Sequence, residues 1–158
     1  MLHDKSRAVV DALVKIAPSR PERGQKLLWV DDCRPLLALY KTIFESLGFE
    51  VHATCSPHEA LDHLSSQAAD VAILDYEMPE IDGGMLAALI KGRHPELPVI
   101  LYSSSIRIPQ AVRRWVDAIC SKAAPREELL ATLEDTLEHE ACTHGSERVS
   151  GAAIRAFA

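Results

Sequence analysis

Three aspartates follow short apolar runs, and together they could bind a divalent cation. Asp75 comes directly after the run at residues 71–74, and Asp31 and Asp32 come directly after the run at residues 26–30. Such runs predict strands that are buried on both faces, as in a parallel sheet. Carboxylates brought together at strand ends repel one another unless a cation neutralises them. Mg²⁺ suits this chemistry best because it is a hard ion that prefers oxygen ligands.

The elements that must position these residues alternate between short apolar runs and helical patterns. Strands are expected at about residues 26–30, 49–54, 71–75, 98–102 and 118–120, each followed by a helix. This alternation predicts a flavodoxin-like (βα)5 fold, a doubly wound parallel sheet with strand order 2-1-3-4-5. In that order strands 1 and 3 are neighbours. The three aspartates should therefore meet at the carboxyl edge of the sheet.

Local signals mark the helix ends. Gly48 should end the first helix, and the spacing of Ser56 and Glu59 predicts a capping box at the start of the second. The fourth helix is predicted to be short, at about residues 110–116. Pro125 should open the last helix.

Composition narrows the function classes. The chain has 158 residues, of which 47% are hydrophobic and 25% charged, and a net charge of −6. It has no basic surface of the kind that nucleic-acid binding needs, and no apolar stretch as long as a membrane span. Its four cysteines show no metal-ligand spacing, so reduced thiols in a cytoplasmic protein are expected.

Three parts are predicted along the chain. Residues 1–24 combine an amphipathic segment, expected to form an extra N-terminal helix, with a linker. Residues 25–139 form the main domain, and residues 140–158 form a C-terminal tail. The N-terminal segment could pack on its own domain, pair with a second copy in a homodimer, or lie on a membrane surface. Its mixed charges favour the first two.

The order of the chemically important residues resembles the receiver domain of bacterial two-component response regulators. The resemblance covers about residues 25–139. It rests on the acid pair, on an Asp-x-x-Met-Pro-x-x-x-Gly turn that begins at Asp75, and on Ser103 and Lys122 after the fourth and fifth strands. Neither flanking segment is long enough for a DNA-binding output domain, so a stand-alone receiver is expected.

This resemblance implies a magnesium-dependent phosphorylation site. Asp75 would accept a phosphoryl group from a sensor histidine kinase, and a carboxylate is a competent nucleophile for such a transfer. Lys122 would pair with phosphate oxygens, and Ser103 would donate its hydroxyl to the phosphoryl group. The resemblance also implies the Mg²⁺ ligands, which are Asp32, Asp31 (directly or through water), Asp75 and the backbone carbonyl of Glu77.

Each assignment has a simpler alternative. The acid pair could cap the first helix, Asp75 could be a turn residue, and Lys122 could be a surface charge. Ser103 could belong to an ordinary loop. The side chain of Glu77 is expected to face solvent, although its position two residues after Asp75 could influence dephosphorylation.

Three departures from the family pattern fall on the parts that report phosphorylation. Ala123 replaces the proline that usually follows the lysine, Ile119 replaces an aromatic residue, and the segment at residues 103–122 is shorter than usual. A different surface would then carry the signal. Trp115 and the two arginines before it are candidate contacts if exposed, but packing of Trp115 against the last helix is favoured.

The leading hypothesis is a phosphorylation-controlled switch that acts by binding an unidentified protein. Its catalysis would be limited to its own phosphorylation and dephosphorylation. It could equally pass the group to a histidine phosphotransfer protein. The alternative is a receiver-like interaction module that ignores phosphate. A phosphatase of the haloacid dehalogenase type is disfavoured, because that family has a second Asp where this chain has Glu77.

Overall fold

Five parallel strands form a single sheet in the order β2-β1-β3-β4-β5. The computed structural model of the protein describes residues 24–105 and 107–150, with side chains described as far as residue 139. The predicted flavodoxin-like strand order is confirmed, and the predicted N-terminal helix lies outside the described residues. The strands are β1 (Lys26–Val30), β2 (Glu50–Thr54), β3 (Val71–Asp75), β4 (Val99–Ser103) and β5 (Ala118–Ser121).

Helices cover both faces of the sheet. Two of them, α1 (Arg34–Leu47) and α5 (Arg126–Ser150), pack on one face. The other face carries α2 (Pro57–Ser66), α3 (Gly83–Arg93) and α4 (Gln110–Arg113). The short helix α4 ends earlier than predicted, and α5 continues past the boundary predicted at residue 139. Among the described residues, no helix is long and apolar enough to cross a bilayer.

The apolar runs are explained by burial on both sides. Along β1, Leu27 and Trp29 join the core under α1 and α5, whereas Leu28 and Val30 join the core under α2 and α3. Successive side chains of a strand point to opposite faces, so a strand covered on both sides needs an unbroken apolar sequence. This burial fixes the position of the residues that follow each strand.

The structure contains the two helix ends that the sequence predicts at Gly48 and Ser56. Gly48 ends α1 in the left-handed conformation with φ 108°, which glycine adopts at little cost. Ser56 caps α2 by accepting a hydrogen bond from the Glu59 amide at 3.3 Å. The capping box is incomplete, however, because the Glu59 carboxylate accepts a hydrogen bond from the Thr54 hydroxyl at 2.7 Å and does not bond back to Ser56.

An aromatic group fills the core between the sheet and α1. Trp29 stacks on Tyr40 with ring centroids 4.5 Å apart, and the hydroxyls of Tyr40 and Tyr102 lie 2.7 Å apart in a buried hydrogen bond. Trp29 and Tyr102 are therefore core residues, as their strand positions indicate. Burial and the bond to Tyr40 raise the pKa of Tyr102, so the Tyr102 hydroxyl stays protonated.

We expect Tyr102→Phe to lower the free energy of unfolding by about 1–2 kcal/mol, because the buried Tyr40 hydroxyl would lose its partner. Tyr76→Phe is the matched control, since the Tyr76 hydroxyl has no hydrogen bond among the described residues and should lose little. Urea denaturation of both variants measures the difference. Equal losses would show that the Tyr40–Tyr102 bond does not stabilise the fold.

Candidate functional site

The three aspartates meet at the carboxyl edge of the sheet. One oxygen from each of Asp31, Asp32 and Asp75 lies within 4.8 Å of the others. The register pairs Val30 with Leu74, so the residues that follow β1 come beside the end of β3. Asp31 and Asp75 are 0% and 2% exposed, whereas Asp32 is exposed. Two buried carboxylates are thus joined by a third that is open to solvent.

Lys122 points into this group. Its Nζ lies 2.8 Å from Asp75 Oδ1 and 3.1 Å from Asp31 Oδ2, and its side chain is 18% exposed. The backbone amide of Lys122 donates to the carbonyl of Ser103, which places the residue directly after the paired end of β5. Lys122 is therefore held in the site and is not an ordinary surface charge.

The site contains three carboxylates and one ammonium group, so negative charge is in excess, and this affects the pKa values of its residues. Burial raises the pKa of Asp75 to about 6, and the charge of Asp31 adds to this effect while Lys122 opposes it. Burial would lower the pKa of Lys122, but its bonds to Asp75 and Asp31 raise it instead. Lys122 stays charged, and the cluster still lacks positive charge.

The geometry argues against a simple capping role for the acid pair. Cys33 is the N-cap residue of α1 and makes no side-chain cap. Asp31 accepts a hydrogen bond from the Cys33 amide with Oδ1, which leaves Oδ2 for Lys122. Asp32 remains exposed beside them. Because all three acids offer oxygen ligands and one side is open, the group fits a hard divalent cation such as Mg²⁺.

Ser103 lies at the end of β4, next to the Asp75 strand, and is 1% exposed. Its hydroxyl donates to Glu77 Oε1 at 3.0 Å and accepts a hydrogen bond from the Ser105 amide at 2.9 Å. The Ser104 amide donates to Glu77 Oε2 at 3.2 Å. The Ser103 hydroxyl is therefore bonded to Glu77 and not to Asp75.

Glu77 is exposed to solvent, yet its carboxylate is held by hydrogen bonds. The residue is exposed, as expected from the sequence, but both of its carboxylate oxygens accept hydrogen bonds. Its own amide donates to Asp75 Oδ1 at 3.2 Å. Burial acts to raise the pKa of Glu77, but the bonds from Ser103 and Ser104 outweigh it and lower the pKa. These contacts could not be predicted from the sequence, because Ser103 is 26 positions away from Glu77.

Several hydrophobic side chains of the shortened segment at residues 103–122 pack on the sheet face opposite α5, whereas Ala118 and Cys120 face the α5 side. Trp115 and Ile119 are partly buried against the core under α2 and α3. The favoured prediction that Trp115 packs against the last helix is therefore wrong, since α5 belongs to the other core. The guanidinium of Arg114 lies 5.0 Å from the centroid of the Trp115 ring, which leaves one face of the indole beside a cation.

The sequence that forms these strands and contributes the aspartates and the lysine matches a known protein family. The model of the response regulator receiver domain matches residues 27–134. The chain belongs to this family. As a receiver domain it is a module of two-component signalling, and the fold, the acid cluster and the lysine occur here together.

Individual relatives and solved structures show how far the likeness extends. The transcriptional regulatory protein GlrR of Escherichia coli is 34% identical over 118 residues, which cover 73% of this chain and 27% of GlrR. The response regulator TrrA of Thermotoga maritima, solved with Mg²⁺ and BeF, is 26% identical with a TM-score of 0.67, covering 71% of this chain and 98% of TrrA. A structure of the histidine kinase ThkA in complex with TrrA matches at 28% identity with a TM-score of 0.66, over 72% of this chain and 98% of that one.

Proposed function

We propose that the protein is a phosphorylation-controlled switch that accepts a phosphoryl group on Asp75 from a sensor histidine kinase and acts by binding another protein. The observation that carries this proposal is the contact of Lys122 with both Asp75 and Asp31 inside the aspartate cluster. The contact sets a fixed positive charge beside the accepting carboxylate. It also leaves the exposed Asp32 on the side where a cation would approach.

In the proposed transfer, an oxygen of Asp75 attacks the phosphorus of a phosphohistidine. A new oxygen–phosphorus bond forms as the phosphorus–nitrogen bond breaks, and the imidazole leaves. Lys122 would exchange its contact with Asp75 for one with a phosphoryl oxygen, as a point charge. Ser103 would turn its hydroxyl to the same group. Such transfers depend mostly on positioning and charge neutralisation.

Mg²⁺ would be held by Asp31, Asp32 and Asp75, with the backbone carbonyl of Glu77 as a further ligand. When bound, it would neutralise charge between the acids and the incoming phosphoryl group. The TrrA structure supports this choice of ion, because it was solved with Mg²⁺ and BeF. The ThkA–TrrA complex supports a histidine kinase as the partner.

The output of the switch, which we propose to be binding to another protein, is argued separately from the phosphorylation site. This chain covers about a quarter of the length of GlrR, so the transcriptional activity of that relative is not transferred to it. Phosphorylation adds charge at one site and biases a two-state domain, which exposes or hides a partner surface. Homodimerisation and passage of the group to a histidine phosphotransfer protein stay predictions.

The alternative is a module that binds its partner without phosphate, and the isoleucine at position 119 favours it. Beryllofluoride with Mg²⁺ separates the two functions through tryptophan fluorescence. Trp29→Phe and Trp115→Phe each leave one tryptophan to report. A Mg²⁺-dependent change from either supports the switch. No change from either variant, with both folded by circular dichroism, would support the constitutive module.

We also expect Mg²⁺ binding to release protons in a pH-dependent way. The pKa of Asp75 is raised to about 6, so at that pH the binding of a cation should release about half a proton. At pH 8 Asp75 is already ionised, and no release from it is expected. Calorimetry in buffers of different ionisation enthalpy counts the protons. Equal release at both pH values would place Asp75 outside the binding event.

A further inference from the structure

The Ser103 hydroxyl, which the proposed phosphotransfer needs as a donor, already donates its hydrogen bond to another group. Ser103 is buried, and its Oγ donates to Glu77 Oε1 at 3.0 Å. The neighbouring Ser104 amide donates to Glu77 Oε2 at 3.2 Å. A hydroxyl has one hydrogen to donate, so Ser103 cannot serve Glu77 and a phosphoryl group at once. Its second contact, from the Ser105 amide, fixes the hydroxyl in this direction.

We propose that the Glu77 carboxylate is a built-in brake on phosphoryl binding at Asp75. It holds the donors at Ser103 and Ser104 until a phosphoryl group displaces it. This inference rests on the proposed function and adds a regulatory role for a side chain within the same site.

Glu77 and a phosphoryl group are competitors of the same kind. Both carry negative charge and accept hydrogen bonds without donating them. The Glu77 amide donates to Asp75 Oδ1 at 3.2 Å, so the competing carboxylate belongs to a residue bonded to the accepting group. Ser103 must therefore break its bond to Glu77 before its hydroxyl can turn, and a phosphoryl group that takes the Ser104 amide must displace the second bond. The phosphorylated state becomes less favourable by the free energy of those bonds.

The size of the brake follows from the exposure of Glu77. Hydrogen bonds to charged groups stabilise more than neutral ones, but solvent competes for an exposed carboxylate. We expect Glu77→Ala to bind beryllofluoride about fivefold more tightly than the wild type in the presence of Mg²⁺. Glu77→Gln should gain less, because its amide oxygen can still accept a hydrogen bond from Ser103.

The experiment needs a matched control for charge. Glu80→Gln removes an acid from the same loop, and Glu80 makes no hydrogen bond or ion pair among the described residues. This variant should bind beryllofluoride as the wild type does. A gain equal to that of Glu77→Ala would show a general charge effect and would overturn the brake. In the Ser103→Ala background, the gain from Glu77→Ala should shrink, and an undiminished gain would also overturn it.

A second readout needs neither metal nor beryllofluoride. Solvent exchange of the Ser104 amide, measured by NMR, should be faster in Glu77→Ala than in the wild type. The Gly83 amide, which donates to the Tyr76 carbonyl, should be unchanged. Unchanged Ser104 exchange would overturn the brake alone. Absence of beryllofluoride binding by the wild type and every variant would overturn the proposed function and the brake with it.

Discussion

Asp75→Asn should reduce phosphoryl incorporation to background. The amide cannot form the acyl phosphate, and Asp31 and Asp32 are held by other contacts or lie at the solvent side. Transfer of labelled phosphate from a histidine kinase, or from phosphoramidate in its absence, measures the effect in the presence of Mg²⁺. We expect complete loss, because no other carboxylate of the cluster has the contacts of Asp75 with both Lys122 and the Glu77 amide.

Asp82→Asn is the matched control for this experiment. Asp82 lies in the same loop and caps α3 by accepting a hydrogen bond from the Met85 amide at 2.8 Å. Asparagine can make the same cap, so the variant should fold and accept phosphate as the wild type does. Incorporation that persists in Asp75→Asn would remove Asp75 from the mechanism.

Gly83→Ala should disturb the site through the backbone. Gly83 begins α3, and a methyl group there would overlap the carbonyl oxygen of Asp75 and lie 3.0 Å from Leu101 Cδ1. The backbone of a buried strand end cannot move aside without shifting the accepting residue. We expect a loss of about 3 kcal/mol in the free energy of unfolding, together with weaker Mg²⁺ binding. Urea denaturation and Mg²⁺ titration measure the two effects.

Gly92→Ala gives the corresponding control in the same helix. A methyl group at Gly92 would meet no atom within 4 Å. Alanine favours a helix interior over glycine by about 0.5–1 kcal/mol, so this variant should be unchanged or slightly more stable. If Gly83→Ala behaved like Gly92→Ala, the close packing of α3 on the Asp75 strand would be wrong.

Much of the fold could be predicted because both sheet faces are buried. Apolar runs such as residues 71–74 mark the strands, and Gly48 and Ser56 mark helix ends by their local chemistry. The end of α4 could not be predicted. The end of this helix depends on how the residues after Arg113 pack in three dimensions. Trp115 packs against the core under α2 and α3, and the sequence around it does not indicate which of the two cores it joins.

The site was predictable where it depends on strand ends and not where it depends on side-chain direction. Asp31, Asp32 and Asp75 come together because β1 and β3 are neighbours, and Lys122 reaches them from the end of β5. The roles assigned to these residues stay predictions. The bond between Glu77 and the hydroxyl of the buried serine could not be foreseen, since spacing fixes the strand on which a residue lies but not the partner that it chooses.

Phosphotransfer to the wild-type protein, measured with and without Mg²⁺, tests whether the aspartate cluster accepts a phosphoryl group only when a cation is bound. We expect one phosphoryl group per chain when Mg²⁺ is present and background labelling when EDTA removes it, because the clustered carboxylates repel the donor without a cation. Equal labelling under both conditions, or no labelling under either while the protein remains folded, would show that the aspartate cluster is not a magnesium-dependent phosphorylation site.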